Sequence, residues 1–354
     1  MMASGVATSP ARATGALGAV CAKARTDTEN SAVVASAMVP SVRSVFGIAK
    51  TIFLFRARRE PVGRARAVHV VLAGSIPISL IGGFVTMKLM AVLAHPDDES
   101  FGVGGTLAKY AAEGVEVSVV TATRGDRGRF RGHRPGDAEH PGAEALAQIR
   151  EAELRAASAV LGVHDVRVLG FHDQELDGAE PREAVGRIVR ELRSIRPEVV
   201  VTFGPDGAYG HPDHIAISQL TTAATVVAAD ARFPTGGTAP HSVSKLYYIA
   251  WPQSAWTAYE SAVNRLSCRV DGVDRHANPW PDWAVTTRVD ARRVWATVWK
   301  AVCCHESQVA GYGRAKELTP EQHQELWGAQ SFYRVFSAVN GGRDRETDLF
   351  EGIR

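Results

Sequence analysis

Two turns in this chain concentrate residue types that bind metals and move protons. The first, His95-Pro96-Asp97-Asp98-Glu99, follows an apolar run at 89–94; the second, Gly210-His211-Pro212-Asp213-His214, follows another at 199–203. His95 and Asp98 stand three apart, as do His211 and His214, with Pro212 suited to the first position of a helix. Residues three apart at a helix start share a face. Two histidines and one aspartate with an open fourth position make a hydrolytic zinc site. His95, Asp98 and His214 are assigned as its ligands. Zinc lowers the pKa of a water it binds to about 7. Asp97 is then left beside the metal to take a proton from that water. His211 is left to polarise a carbonyl oxygen or to protonate a leaving amine, and Asp213 to orient His211. A lone HPD or PDH turn is ordinarily a helix N-cap. Two such turns, each after a core strand, point beyond capping.

The surrounding pattern explains how turns more than a hundred residues apart can meet. Short β-rich runs at 89–94, 115–121, 166–169 and 199–203 alternate with helical stretches at about 102–113, 143–161 and 181–195 and a fourth ending near 228. Gly114, Gly162 and Pro197 punctuate the first three helices. Such alternation predicts a mostly parallel sheet flanked by helices, an α/β fold. The loops HPDDE, TRGDRG, FHDQEL and GPDGAYGHPDH all leave carboxyl ends of strands, so they line one edge of that sheet, where ligands bind. A further strand is expected at 244–250, irregular Trp/Pro-rich chain at 251–283, and a last long helix at about 291–304.

The 354-residue chain has ordinary charged (22%) and apolar (45%) fractions and a net charge of +2, which gives no case for nucleic acid. Its four cysteines, Cys21, Cys268, Cys303 and Cys304, show neither metal-knuckle spacing nor a disulfide framework, so a cytoplasmic setting is the default. Residues 1–86 look unlike the rest: an Ala/Ser/Thr/Val-rich start, a basic patch from Arg56 to Arg66, then an uncharged run at 67–87 if His69 is neutral. That run is long enough to span a bilayer, but Gly74, Pro77, Gly82 and Gly83 interrupt it, and the first core strand follows at once. The expectation is a disordered segment or upstream sequence, with a catalytic domain at 87–354. Any membrane association would come only through residues 67–86. Oligomeric state is not legible.

His95-Pro96-Asp97-Asp98-Glu99 with Gly210-His211-Pro212-Asp213-His214 closely resembles the LmbE-like (PIG-L) zinc deacetylases. These include N-acetylglucosaminyl-phosphatidylinositol deacetylases and the mycothiol-pathway deacetylase and amidase. The resemblance runs from Met87 to the C-terminus; residues 1–86 have no counterpart in it. It implies a Rossmann-like sheet, a single catalytic domain, Zn2+ on the three ligands assigned above, Asp97 as general base and His211 as electrostatic or acid partner. The implied reaction removes an N-acyl group, acetyl first among them, from a small amino-sugar-like substrate. Arg150 with Glu153, and His305-Glu306-Ser307-Gln308, also look like family features. A mycothiol-conjugate amidase and a non-catalytic sugar-binding protein on the same fold are the alternatives. A dinucleotide site fails in detail: Gly102 and Gly104 fit G-x-G-x-x-G, but Leu107 stands at the third glycine.

Single residues carry weaker signals. Tyr209 is either a hydrogen-bond partner for a substrate carbonyl or a plain loop aromatic. Asp173 either meets a sugar hydroxyl or caps a turn, and Arg124, with Arg127, Arg129 and Arg131, either recognises an anionic substrate or forms a solvated loop. Glu153 lies in an apolar helical stripe and needs a partner, for which Arg150, one turn back, is the expectation. His305 is a candidate to support the site from behind it.

Overall fold

The computed structural model describes residues 86–263, 266–341 and 344–354, together with a two-residue antiparallel pairing of His69–Val70 with Ile78–Ser79. That pairing apart, the expectations for residues 1–86 fall outside the described residues. Among the described residues no helix is long and apolar enough to cross a membrane.

The sheet begins with β1 (Lys88–Leu93), continues through β2 (Glu116–Thr123), β3 (Asp165–Phe171), β4 (Val199–Thr202) and β5 (Lys245–Ile249), and closes with β8 (Thr287–Asp290) and β9 (Ala329–Ser337). Its order is β8-β9-β5-β4-β1-β2-β3. The five strands from β3 to β5 are parallel, whereas β9 pairs antiparallel with β5 and with β8. Leu89 to Leu93 and Val199 to Thr202 are wholly buried. Continuous apolar runs are what strands covered on both faces require.

The crossovers are α1 (Gly104–Ala112), α2 (Ala143–Leu161), α3 (Pro181–Ile195) and α4 (Pro212–Val227). The chain steps outward from β1 to β3, then returns across β1 to β4. Right-handed crossovers therefore put α1 and α2 on one face and α3 and α4 on the other. The reversal falls between β1 and β4, so the crevice outside their carboxyl ends is the switch point.

Residues 251–283 depart from the irregular chain expected. They contain α5 (Gln253–Ala262) and a hairpin of β6 (Ser267–Val270) and β7 (Val273–His276). The last long helix starts later than expected, as α6 (Trp295–Cys304) after a 3-10 turn at Arg292–Val294, and α7 (Pro320–Trp327) follows it.

Beneath β5 lies a buried charge cluster. Glu346, 1% exposed, accepts from Lys245 Nζ at 2.6 Å, Tyr247 Oη at 2.7 Å, Thr287 Oγ1 at 2.8 Å and Asn340 Nδ2 at 2.9 Å. Burial pushes the Glu346 carboxyl up, but hydrogen bonds from Lys245, Tyr247, Asn340 and Thr287 outweigh it and hold it at about 2. Its contribution to stability is therefore complete above about pH 4.5 and is lost as pH falls toward about 2. Glu346→Ala strands the buried Lys245 ammonium and should cost about 3–5 kcal/mol in urea unfolding at neutral pH. A loss below about 1 kcal/mol, the range of an exposed pair, would mean that the cluster is not a stabilising unit.

Candidate active site

His95 follows β1 by one buried alanine, and its two ring nitrogens face different partners. Nε2 lies 3.1 Å from Asp213 Oδ2 and 3.1 Å from Asp173 Oδ1. Those carboxylates claim the Nε2 proton and, outweighing burial, raise the ring's affinity for a second proton at the inward-facing Nδ1; a bound metal would displace that second proton and take the Nδ1 lone pair. Nδ1 lies 3.2 Å from His214 Nε2 and 3.8 Å from Asp98 Oδ2, and His214 Nε2 lies 3.4 Å from Asp98 Oδ1. Asp98 is itself aimed by the backbone N–H groups of Ala94 and His95, which donate to Oδ2 at 3.1 and 2.8 Å. His214 projects from the first turn of α4 and stacks on Phe203, ring centroids 3.9 Å apart.

Two buried imidazole nitrogens that approach head-on repel unless a proton or a cation lies between them. Burial pushes the Asp98 carboxyl up to about 7, against the pull of His95 and with a further push from Asp97. A divalent cation answers both problems. The 3.2 Å between the two imidazole nitrogens and the 3.4 Å from His214 Nε2 to Asp98 Oδ1 fit about 3.3 Å, the ligand separation in a tetrahedral site with bonds near 2.0–2.1 Å; the 3.8 Å from His95 Nδ1 runs to the other Asp98 oxygen. Two nitrogens and one oxygen are also the donor set of a hydrolytic rather than a structural site.

Three further groups surround this cluster. Asp97, at φ 114°, turns its carboxylate to Arg150, whose Nη2 lies 3.0 Å from Oδ2. Burial raises the Asp97 carboxyl, and Arg150, His305 and His95 pull it back. His211 caps α4, its Nδ1 accepting from the N–H of Asp213 at 3.2 Å. Burial, then the charge on His95, lowers it to about 4. The neutral ring therefore carries its proton on Nε2 and is a donor. Tyr209 flanks both imidazoles, its ring 5.8 Å from that of His211 and 5.4 Å from that of His214.

Several expectations from sequence need correction. Asp213 hydrogen-bonds His211 through its backbone N–H and not through its carboxylate. Its carboxylate turns to His95 and accepts from the backbone N–H groups of Gln174 at 2.7 Å and Leu176 at 3.2 Å. Asp173, expected at a sugar hydroxyl, has its carboxylate on His95 Nε2 and on the N–H of Arg127. Burial opposes its ionisation, but the hydrogen bond and charge of His95 hold it at about 2.

Arg124 does not reach the cluster: it is exposed and pairs with Glu151 at 3.0 Å, because residue 124 is where the chain leaves β2 toward α2. Arg127 and Arg131 likewise pair at the surface, with Glu175 and Glu306. The arginine that does arrive is Arg150, which also donates to the carbonyls of Pro96 at 2.5 Å and Gly125 at 3.1 Å. It therefore does not partner Glu153, which instead accepts from the N–H and hydroxyl of Ser307 at 2.7 and 2.6 Å. The readable trace of the Arg150 path is Gly125, at φ +64°, where any Cβ would run into the guanidinium.

A Rossmann-like sheet whose switch point holds a metal-ready His/Asp cluster, with a carboxylate held next to it by an arginine, is the build of a metal-assisted hydrolase. The family model described as PIG-L: GlcNAc-PI de-N-acetylase matches residues 90–225. A 1D-myo-inositol 2-acetamido-2-deoxy-alpha-D-glucopyranoside deacetylase of Rhodococcus jostii (strain RHA1) is 38% identical over 292 residues, which cover 75% of this chain and 98% of that protein. Its namesake in Kineococcus radiotolerans is 35% identical over 306 residues, 75% of this chain and 83% of its own. Among solved structures, the conserved protein TT1542 from Thermus thermophilus superposes with a TM-score of 0.51 at 25% identity, over 72% of this chain and 98% of that one. The chain belongs to the PIG-L (LmbE-like) family of deacetylases, enzymes that hydrolyse linear amides.

Proposed function

We propose that this protein is a zinc-dependent N-deacetylase whose substrate is an N-acetylglucosaminyl-inositol. The observation that carries the substrate is the match to the Rhodococcus deacetylase over 98% of that protein's length, which includes the loops around the site as well as its two motifs. His95, Asp98 and His214 would hold the zinc, which supplies a bound water of pKa about 7. Asp97 takes the proton of the attacking water at Oδ1, the oxygen that Arg150 leaves open. His211 donates its Nε2 proton as a hydrogen bond to the amide oxygen while negative charge builds there. The C–N bond then breaks, the proton held by Asp97 goes to the leaving nitrogen, and acetate and a free amino sugar remain. Asp173 and Asp213 keep His95 in the tautomer that presents Nδ1.

Acetate release should be compared for the GlcNAc-inositol, free N-acetylglucosamine and a cysteinyl amide conjugate of the inositol glucosamine. The GlcNAc-inositol is expected to have the highest kcat/KM. Faster cleavage of the cysteinyl amide would reassign the protein as an amidase, and equal rates on the two acetylated sugars would remove inositol from its specificity.

A further inference from the structure

Behind Asp97 lies a second polar pair that the chemistry above leaves unused. Glu99 and His305 are both 0% exposed, with His305 Nε2 2.6 Å from Glu99 Oε1. Ser100 Oγ donates to the same oxygen at 2.6 Å. The other oxygen, Oε2, accepts the backbone N–H of Asp97 at 2.9 Å.

That N–H belongs to a residue at φ 114°, a backbone region that costs a side-chain-bearing residue about 1–3 kcal/mol and persists only where its surroundings over-determine it. Asp97 is gripped twice. Arg150, from α2, holds the carboxylate, and Glu99 holds the N–H. His305 stands where α6 ends, and α6 packs along α2. Two residues on, Ser307 is tied to Glu153 of α2, and Gln308 Nε2 donates to the carbonyl of Arg129. The His-Glu-Ser-Gln segment is thus strapped to the helix that supplies Arg150.

Stability alone does not account for the pair. A buried ion pair is often replaced by apolar side chains of similar volume without loss of stability. We propose that Glu99 and His305 are a positioning pair for the proton acceptor: His305 fixes the Glu99 carboxylate, which clamps the Asp97 N–H and so sets the direction of its Cα–Cβ bond. This rests on the reading of Asp97 as the base.

The test uses zinc-loaded full-length protein acting on the GlcNAc-inositol, with zinc content, unfolding midpoint, kcat and KM as readouts. Glu99→Ala and His305→Leu should each lower kcat roughly 10- to 100-fold, the usual worth of a supporting partner at a metal site, with zinc content and KM unchanged. Glu99→Gln, whose amide oxygen still accepts the Asp97 N–H, should recover most of kcat. The apolar pair Glu99→Leu with His305→Leu removes both buried polar groups together. It should unfold no lower than wild type and still be slow. In an Asp97→Asn background none of these changes should slow the enzyme further. Wild-type kcat in the apolar pair, losses that multiply in the Asp97→Asn background, or losses that track zinc content would each overturn the proposal. Wild-type turnover by Asp97→Asn alone would overturn the reading of the base, and the positioning role with it.

Discussion

Asp97→Asn is expected to keep its zinc and to lose turnover by roughly two to four orders of magnitude, the usual worth of a general base. The substitution preserves size, and an amide oxygen can still accept from Arg150, so the turn at φ 114° should survive. Metal content measured beside kcat separates the two ways the variant could fail. Loss of zinc would make Asp97 part of the metal site, and wild-type turnover with zinc bound would move proton transfer to another group. KM should change little, because in the proposed mechanism the carboxylate meets the attacking water rather than the sugar.

The second large effect belongs to the metal itself. His214→Ala leaves only His95 and Asp98 of the three assigned ligands, fewer protein donors than a catalytic zinc site uses. The variant should lose its zinc on dialysis and release acetate no faster than metal-free wild type. The fold should persist, since the β1–β4 framework beneath is built from wholly buried aliphatic residues. Full zinc occupancy in a folded His214→Ala protein would sink the ligand assignment. His211, whose imidazole lies within 4.8 Å of both other rings, would be the first residue to examine in its place.

Helices α2 and α3 were readable to the residue, because each is long, periodic and stopped by its own signal: Gly162, left-handed at φ 78°, ends α2, and Arg196, left-handed at φ 59°, with Pro197 ends α3. Strands β8 and β9 were not foreseen. β8 alternates polar or charged with apolar residues at the sheet edge, β9 beside it is a mixed, mostly half-buried run with a single charge, and only their pairing across the sheet makes them strands. The hairpin of β6 and β7 was hidden for the same reason. In the site, His95, Asp98, His211 and His214 were legible because each pair sits within one local turn. The partners of Asp213, Glu153 and Arg150 were not, since side chains a helical turn apart in sequence proved to reach toward different elements. The Arg150–Asp97 pair joins residues 53 apart, and the Glu153–Ser307 contact joins residues 154 apart.

The placement of β1 beside β4 sets an order of events during synthesis. Lys88, the first residue of β1, donates its N–H to Glu198, just before β4, across 110 positions, and His95 meets His214 across 119. Everything from α1 to α3 must leave the ribosome before the second half of the metal cluster exists, and parallel pairing over such a span closes slowly. Capture of the proposed metal would therefore be a late step of folding, and until β4 arrives the β1 edge that it pairs with stays open, its backbone N–H and C=O groups unpaired. If the proposed ligands hold zinc, its retention would report that the two halves of the sheet have docked.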